Sequence, residues 1–544
     1  NAIANYRAMY GWRERVKLIN VRTGKKYKPA DIERRVYIAQ LQSLQKTLIQ
    51  HQEAPTTVTA AKIGDALGLL EQLNQSRQLV DAVRQRFVRP NVQAHLSQSA
   101  IDQLARRPVG ESHPVRDVIL GAQIRGTAHT TGELTFATAP SDDRVALKAQ
   151  IVGNIQSSTK GYKKPVVVTS RGNTAFVSTA NLYFSDEQFL TTPSCTTAST
   201  DNTICSVCKT GGNFGRRLIE KIAWKKVRES KSQSEAIAAR KAERKVSKRF
   251  DQQVGEAIYQ ARKNYDEKVR TPLIRTAMFP EQMEFSSTSN AVQIQTMLAS
   301  HTQISADAKT VDIEGSSDFS LKIHETAVNN FLPTLLGGLE VQQETEAEPP
   351  KIQGDVPPWL KELAKKKNEE RLAELQKEEA AQDDQAEKDE QQAEFKPFML
   401  RLNQAHPLSV SFDEQQLRVR ISLAEMKTIE NGEETIRQDW DFLVSFEIIQ
   451  EGNQVKLRRV GEVEMFPTGF DPRWDKKLTG EQVATRGALA KILKKRASEG
   501  KGFPEEITLP EVKIPRQNDT EIVPVLQHIL CEDGWLALGY QMPE

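Results

Sequence analysis

The chain has 544 residues, of which 38% are hydrophobic and 27% are charged. This length predicts three or four units of about 150 residues each. The 75 basic and 72 acidic side chains leave a net charge of only +3, although the two signs are strongly segregated along the chain. No run of about 18 apolar residues occurs, so we predict no transmembrane helix.

The N-terminal part is predicted to be helical. Residues 1–28 form a basic, aromatic arm, interpreted either as a packed extension or as an arm for a membrane surface or nucleic acid. Residues 29–90 predict a helical hairpin. Its first helix carries an apolar stripe from Tyr37 to Leu48, and its second runs from Thr59 to Phe87 with apolar spacings of three, four or seven. The stripe fits packing within the chain or against a partner.

Residues 91–192 predict a strand–helix unit followed by a sheet. In Val92–Leu104 apolar residues alternate along a strand, Ser99 offers a helix cap, and an apolar helical stripe follows. From Val115 to Phe189 the sequence predicts about six short antiparallel strands, with glycines as turns or bulges. One face of this sheet is apolar and needs a cover, which the strand–helix unit is expected to provide.

Residues 193–215 predict a polar loop that contains Cys195, Cys205 and Cys208. These cysteines are expected to be either free thiols or disulfide-bonded, and a disulfide from Cys195 to Cys205 or to Cys208 would tether the loop and suit an exported protein. A zinc site is disfavoured, because its fourth ligand would have to be the distant Cys531. The absence of an apolar signal core after Asn1 indicates a removed targeting segment or a late start, and we predict a periplasmic or cell-envelope location.

Residues 216–270 predict one long amphipathic helix, or two joined near Gly255. The segment holds 17 basic and 8 acidic residues. Its bases are either simply solvated or form a surface for anionic lipid or an anionic envelope polymer. Aromatic residues are too sparse here for base stacking, so nucleic acid is not an expected partner. The candidate surface comprises Arg240, Lys241, Arg244, Lys245, Lys248 and Arg249.

Residues 271–341 predict a second strand–helix unit. Phe319–Phe331 repeats the pattern of Val92–Leu104 with an offset of 227 residues, and Thr326 takes the place of Ser99 as the cap. We therefore predict an α+β fold of two antiparallel β-rich halves, each with a strand–helix unit, plus long amphipathic helices.

The remaining segments complete the second half. Residues 342–394 predict a proline-rich linker and a charged helical insert, in which 361–394 hold 12 acidic and 7 basic residues. Residues 395–470 predict a second sheet. Residues 471–544 predict a helix, with Leu489 on its apolar face, and C-terminal strands.

No catalytic, cofactor or metal signature is convincing. His324–Glu325 would need a second histidine at position 328 for a zinc-protease helix, and that position is Val328. Asp471 and Asp475, beside Trp474, form a carboxylate pair of the kind found in glycosidases, but this spacing is generic and a turn is the favoured interpretation.

Two strand–helix units, each followed by a meandering sheet, resemble the tubular lipid-binding superfamily. The resemblance rests on Val92–Leu104, Phe319–Phe331 and the strands that follow, which is about half of the chain. It implies a long curved sheet wrapped around a helix, with lipid acyl chains held between them. The stretch PVRDVILGAQIRGTAHTTGEL also resembles exported bacterial proteins of uncharacterised function, which implies no activity.

Three hypotheses follow. The first is a non-enzymatic envelope protein that binds lipid or another amphipathic ligand in an apolar groove. The second is a structural or assembly subunit with protein partners along helices 32–87 and 216–270. The third is a glycan-active hydrolase that uses Asp471 or Asp475.

Overall fold

The computed structural model describes residues 29–53, 55–72, 76–212, 214–275, 279–280, 282–300, 303–307, 310–313, 317–343, 351–353, 397–430, 433–472, 475, 477–498, 502–515 and 521–543. Within these ranges helices combine with antiparallel sheets, which confirms the predicted α+β class. The predicted arm at 1–28 and almost all of the insert at 342–394 lie outside them. No helix in the described ranges is long and apolar enough to cross a membrane.

The described residues begin with three helices: α1 (Pro29–Glu53), α2 (Thr57–Gln72) and α3 (Arg77–Arg86). The predicted second helix of the hairpin is thus divided. Ser76, just before α3, has a φ of 52°, and an L-residue in this left-handed region does not continue an α-helix. The apolar stripes of all three helices meet in one buried cluster: Leu44, Ile63, Leu67, Leu70, Val80, Val83 and Phe87, together with Ile304.

The first strand–helix unit and its sheet follow as β1 (Val92–Ser97), α4 (Gln98–Ala105), β2 (Arg107–Ile119), β3 (Ala122–Ala139), β4 (Val145–Lys163), β5 (Val166–Phe184), β6 (Phe189–Thr191) and β7 (Cys195–Lys209). The sheet has the order β2-β3-β4-β5, and β6 and β7 both pair with the far side of β5. The expectation of six short strands is wrong for most of the sheet, because β3, β4 and β5 each run for 18 or 19 residues.

Two glycines explain this error. Gly126 and Gly153 lie inside long strands and not at turns. A Cβ atom at Gly126 would lie 2.0 Å from the carbonyl oxygen of Ser158, and one at Gly153 would lie 2.5 Å from the Phe176 ring. These glycines therefore allow close approach of strand to strand, and of backbone to side chain, in the long sheet.

The elements between the two units are α5 (Arg216–Glu229), α6 (Lys231–Tyr265), a π-helical turn (Asp266–Arg270), α7 (Thr271–Arg275), β8 (Gln282–Ser287) and β9 (Ala291–Met297). The basic segment is divided at Ser230 and not near Gly255, which lies within α6. The Ser230 hydroxyl donates to the carbonyl oxygen of Lys226 at 2.9 Å, a local bond that competes with helix continuation.

The second unit and its sheet are β10 (Phe319–His324), α8 (Glu325–Leu336), β11 (Glu340–Gln343), β12 (Lys351–Gln353), β13 (Phe398–Leu402), β14 (Leu408–Asp413), β15 (Gln416–Glu430), β16 (Glu433–Glu451), β17 (Gln454–Pro467), α9 (Gly480–Ser498), β18 (Glu506–Thr508), β19 (Ile514–Pro515), β20 (Glu521–Ile522), β21 (Val525–Glu532) and β22 (Trp535–Gln541). Strands β11 to β18 form one antiparallel sheet. Helix α9 packs on it through Leu489, against Leu423, Trp440 and Phe442.

A central sheet joins the two units, with the strand order β21-β22-β10-β1-β9-β8. Strands β1 and β10 are antiparallel neighbours at its centre, and each is flanked by a hairpin. Hairpin β8–β9 therefore pairs with the first unit. The predicted boundary at residue 271 assigned these strands to the second unit.

The register of β1 and β10 pairs the two strands around Ala94 and Leu321. Residues 227 apart are equivalent in the sequence pattern, and Ala94 pairs directly with its own equivalent, Leu321. An antiparallel pair centred on equivalent residues has an approximate two-fold axis through that point. The strand order is consistent with this axis, because the two flanking hairpins occupy matching positions.

Asn91 and Asp318, also 227 apart, make matching contacts across this axis. The carbonyl oxygen of Asn91 accepts from His324 N at 2.8 Å, and that of Asp318 accepts from Ser97 N at 2.7 Å. The Asn91 amide nitrogen donates to the Thr326 hydroxyl at 3.2 Å, and the Asp318 carboxylate accepts from the Ser99 hydroxyl. Each residue thus joins its own strand to the opposite strand–helix unit.

The same pair also holds the flanking hairpins. Leu298 N donates to the Asn91 side chain at 2.7 Å, and Met542 N donates to Asp318 at 3.1 Å. Both side chains are buried, so their many hydrogen bonds replace the water they have lost.

The caps of α4 and α8 lie two residues before the predicted positions. The Ser97 hydroxyl accepts from Ala100 N, and His324 Nδ1 accepts from Thr326 N. Ser99 and Thr326 instead contact Asp318 and Asn91. Because Ser97 and His324 are themselves equivalent, the displacement is the same in both units.

Each helix of a strand–helix unit is attached to the sheet that follows it, through equivalent side chains. Gln98 on α4 donates to Phe136 O at 2.6 Å and accepts from Thr138 N on β3. Glu325 on α8 accepts from Phe412 N at 3.1 Å on β14. These bonds fix both helices on the edges of their sheets.

We expect Asp318→Ala to lower the free energy of unfolding by about 3 kcal/mol, because it leaves buried donors unpaired and removes hydrogen bonds to a charged group. Urea denaturation followed by circular dichroism measures this change. Asp312→Ala is the matched control, since that side chain is 98% exposed and its ion pair with Lys322 contributes little. Equal effects of the two substitutions would contradict the role given to Asp318.

The same carboxylate predicts a pH dependence. Burial raises the pKa of Asp318, but its hydrogen bonds outweigh this and hold the pKa below its ordinary value of 3.8. The stabilisation is therefore complete above the unfolded-state pKa and is lost as the pH falls through the lower folded-state pKa. The stability difference between the parent and Asp318→Ala should therefore shrink as the pH falls through the folded-state pKa of Asp318.

Candidate ligand-binding groove

A cavity of about 1210 Å³ lies between the first long sheet and helices α5 and α6. The alternation of the strands directs one row of side chains from each strand into it. Its sheet side is mainly apolar: Ile124, Ala128, Ile151, Ile155, Val168, Phe176 and Ile204. Its helix side includes Ile219, Ala223, Val227, Ala238, Ala242 and Val246.

One end of this groove is closed by the C-terminal half of α6. Phe250 and Val254 are buried there against Ala149, Ile151 and Phe176. Their spacing of four places both side chains on one face of the helix. The helix packs tightly on the sheet in this part, and the open volume lies beside its N-terminal half and α5.

On one flank, α6 is tied to the edge strand β2 by ion pairs. Lys241 and Lys245 pair with Asp117, and Arg249 pairs with Glu111. Burial raises the pKa of Asp117, but the hydrogen bonds from Lys241 and the Val118 amide, together with the charges of both lysines, bring it below its ordinary value. This carboxylate is therefore ionised at neutral pH.

On the other flank, α6 is tied to the edge strand β7 by carboxylates that accept backbone N–H groups. Three of them are Glu235, Glu243 and Asp251, which lie eight residues apart. They accept from Asn202 N at 2.7 Å, from Ala198 N at 3.1 Å and from Ser194 N at 2.8 Å. We refer to Glu235, Glu243 and Asp251 as the carboxylate ladder.

The spacing of the carboxylate ladder follows from the different rise per residue of an α-helix and a β-strand. Eight residues of α-helix advance about 12 Å, and four residues of a strand advance about 13 Å. Between Ser194 and Asn202, every fourth backbone N–H therefore meets a carboxylate on α6. Glu220 on α5 continues the pattern by accepting from Lys209 N at 3.0 Å, and this bond, with that from Arg216, lowers the pKa of Glu220.

Cationic side chains lie around the end of the groove that α6 leaves open. Lys163 and Lys164 stand at the turn between β4 and β5, and Lys226 stands on α5. The Lys163 ammonium donates to Leu120 O at 2.8 Å. Ile119 and Ala122 line the groove beside them. The groove thus has apolar side chains on both its sheet side and its helix side, charged side chains along its margins, and three lysines at its open end.

The structure divides the six predicted basic residues of α6 by role. Lys241, Lys245 and Arg249 line the groove and pair with β2, so their charge is largely used within the chain. Arg240 is exposed, and the Arg244 Nε donates to Arg240 O at 3.3 Å. Lys248 lines the groove near its closed end.

The predicted cysteine loop is instead strand β7, and the predicted disulfides are not formed. Cys195, Cys205 and Cys208 are free and exposed. Ten strand residues separate the first two by about 33 Å, whereas a disulfide needs Cα atoms within about 7 Å. Cys205 and Cys208 are separated by about 10 Å on the same strand.

Asp471 and Asp475 lie in a turn away from the groove lining. Asp471 is buried and accepts from the Thr56 hydroxyl at 3.4 Å, while its own amide donates to Asp475 Oδ2 at 2.9 Å. Trp474 lies outside the described residues. In the described part of the chain, no group of three or more His, Cys, Asp or Glu residues is arranged to hold a metal ion.

Comparison with known proteins gives only distant structural likenesses. No family model matches the chain, and no curated protein matches it. A crystal structure of lipopolysaccharide binding protein aligns with a TM-score of 0.25 and 8% identity, covering 84% of this chain and 99% of that one. P47 of Clostridium botulinum E1 aligns with a TM-score of 0.27 and 10% identity, with the same coverage. TM-scores of this size are too low to bear on the fold or the ligand of this chain.

We expect Glu243→Ala to speed amide hydrogen exchange at Ala198 about tenfold or more, because a hydrogen bond to a charged group contributes about 1.5–3 kcal/mol. Exchange monitored by mass spectrometry or NMR measures this change. Glu256→Ala is the matched control on the same helix, since Glu256 is exposed and accepts a hydrogen bond from Gln260 within α6. Unchanged exchange at Ala198 in Glu243→Ala would contradict the ladder.

Proposed function

We propose that this protein binds an amphipathic ligand in the groove between α5–α6 and the first long sheet, and that it acts by binding and not by catalysis. The observation that supports this most directly is the groove itself. Its volume of about 1210 Å³ exceeds the range of about 300–1,000 Å³ usual for sites that hold drug-sized molecules. A long apolar chain suits such a space.

The chemistry of the lining favours a ligand with an anionic head. Apolar side chains from both the sheet and the helices would cover a hydrocarbon chain and remove it from water, at about 25 cal/mol per Å² of buried apolar surface. Lys163, Lys164 and Lys226 at the open end would attract a negative charge. We therefore propose a lipid or fatty-acid-like molecule with its chain inward and its head at these lysines.

The assembly hypothesis has less support. Its two apolar stripes are buried within the chain, one among α1–α3 and the other between α6 and the sheet. The predicted periplasmic or cell-envelope location stays a proposal, which cell fractionation tests.

We also propose that the two halves are related modules. The direct pairing of Ala94 with Leu321 and the matched contacts of Asn91 and Asp318 support this. An experimental structure in which β1–α4 and β10–α8 fail to superpose after rotation by about half a turn would overturn it.

We expect Ala242→Trp to weaken binding of a fluorescent anionic fatty-acid analogue about tenfold or more, because the indole would occupy groove volume. Titration followed by fluorescence measures the dissociation constant. Ala236→Trp is the matched control, since Ala236 is exposed on the same helix and lies outside the groove lining.

Circular dichroism of both variants separates loss of binding from loss of folding. Two results would contradict the proposal: no probe binding by the parent protein, or equal binding by a folded Ala242→Trp variant. Mass spectrometry of solvent extracts of the purified protein then identifies the natural ligand.

A further inference from the structure

Helix α5 presents an apolar row to solvent as well as to the groove. Ile219, Ala223 and Val227 line the groove at spacings of four. Two further apolar residues of α5, Leu218 and Ile222, are also four apart and are 65% and 58% exposed, and Phe214, two residues before the helix begins, is 96% exposed. We refer to Phe214, Leu218 and Ile222 as the exposed row. None of the residues of α5 is fully buried. The apolar surface of this helix is therefore wider than the groove requires.

Basic residues border the exposed row. The stretch from Phe214 to Glu229 contains six basic and two acidic residues. A basic row on α5 has the same spacing of four and consists of Arg217, Lys221 and Lys225. Each of these residues lies one position before another residue of the helix: Leu218, Ile222 and Lys226, respectively. Only Lys225 has an acidic neighbour among the described residues, Glu229 at 4.0 Å.

We propose that α5 docks on the surface of a lipid bilayer that contains anionic lipids. Phe214 and Leu218 would enter the boundary between head groups and acyl chains, and Arg217 and Lys221 would contact anionic head groups. A helix with an apolar face and a basic border lies in the plane of such an interface. Each Lys or Arg near the anionic surface adds to the attraction.

The charge of α5 selects this occupant over two others. In a two-fold contact with a second copy, the same basic row would face itself, and like charges would oppose the association. A nucleic acid would neutralise the bases but leave Phe214 and Leu218 in water. An anionic bilayer would bury the exposed apolar row and neutralise the basic row at the same time.

The docking surface goes beyond ligand binding and stands without it, since Phe214, Leu218, Arg217 and Lys221 do not line the groove. One consequence does rest on the proposed function. Ile222 lies in the exposed row and also lines the groove, so docking of α5 would bring the groove next to the bilayer.

Co-flotation of the full chain with vesicles tests this inference. We expect the protein to float with phosphatidylcholine vesicles that contain phosphatidylglycerol, to bind pure phosphatidylcholine vesicles at least tenfold more weakly, and to be released by salt. Phe214→Ser/Leu218→Ser and Arg217→Glu/Lys221→Glu should each weaken binding to the anionic vesicles about tenfold or more.

A matched control is offered by α9, where Val483 is 55% exposed and Lys491 is exposed. Val483→Ser/Lys491→Glu should bind vesicles like the parent. Binding of the fluorescent fatty-acid analogue by Phe214→Ser/Leu218→Ser should equal that of the parent, which separates failure of docking from failure of ligand binding.

Three results would overturn the docking surface. The first is the absence of binding to anionic vesicles, and the second is equal binding by the parent and Phe214→Ser/Leu218→Ser. The third is a dimer, seen by analytical ultracentrifugation, that this double substitution dissociates, because the exposed row would then be a contact between copies.

Discussion

The antiparallel pairing of β1 with β10 determines where the other elements of both units lie. Each strand leads directly into a helix, α4 or α8, and each helix is bonded to the sheet that follows it. Pairing the two strands about Ala94 and Leu321 therefore sends the two helices, and the two large sheets, to opposite sides of the centre. Asn91 and Asp318 stabilise this arrangement because each bonds to the other unit and to a flanking hairpin. A shift of one residue in register would separate all of these contacts and would turn each strand's side chains to the other face.

The groove results from how α6 is held. Ion pairs fasten one flank to β2, and the carboxylate ladder fastens the other to β7. Both sets of contacts are polar and lie at the margins of the sheet. The apolar face of the sheet between them therefore need not contact the helix along its whole length. At Phe250 and Val254, α6 packs directly against the sheet. Where the helix side offers Ala238 and Ala242, the side chains are too short to reach the sheet, and open volume remains.

Local patterns in the sequence predicted the parts of the fold that depend on local chemistry. Alternation and helical spacing indicated the strands β1 and β10 and the helices α4 and α8 that follow them. The caps were displaced by two positions because each joint offers two polar residues, Ser97 with Ser99 and His324 with Thr326. The structure places Ser97 and His324 at the caps, while Ser99 and Thr326 contact Asp318 and Asn91.

Features that depend on neighbouring strands were not predictable in this way. Strand β7 has almost no apolar residues, so its Ser, Thr and Cys alternation was interpreted as a loop. Gly126 and Gly153 suggested turns because the close approach of Ser158 and Phe176 is invisible in the sequence. The ladder was missed for the same reason. The eight-residue spacing of Glu235, Glu243 and Asp251 is visible, but it gains a meaning only once β7 is known to lie beside it.

Strand β7 has one further consequence, for association between molecules. It lies at the margin of its sheet, and its sequence contains no proline and only one acidic residue, Asp201, to discourage another chain from adding to it. The outward N–H groups of Ala198 and Asn202 are occupied by α6. If α6 were to detach, those donors would become a template for strand addition. The helix that forms one wall of the groove therefore also guards the protein against polymerisation through β7.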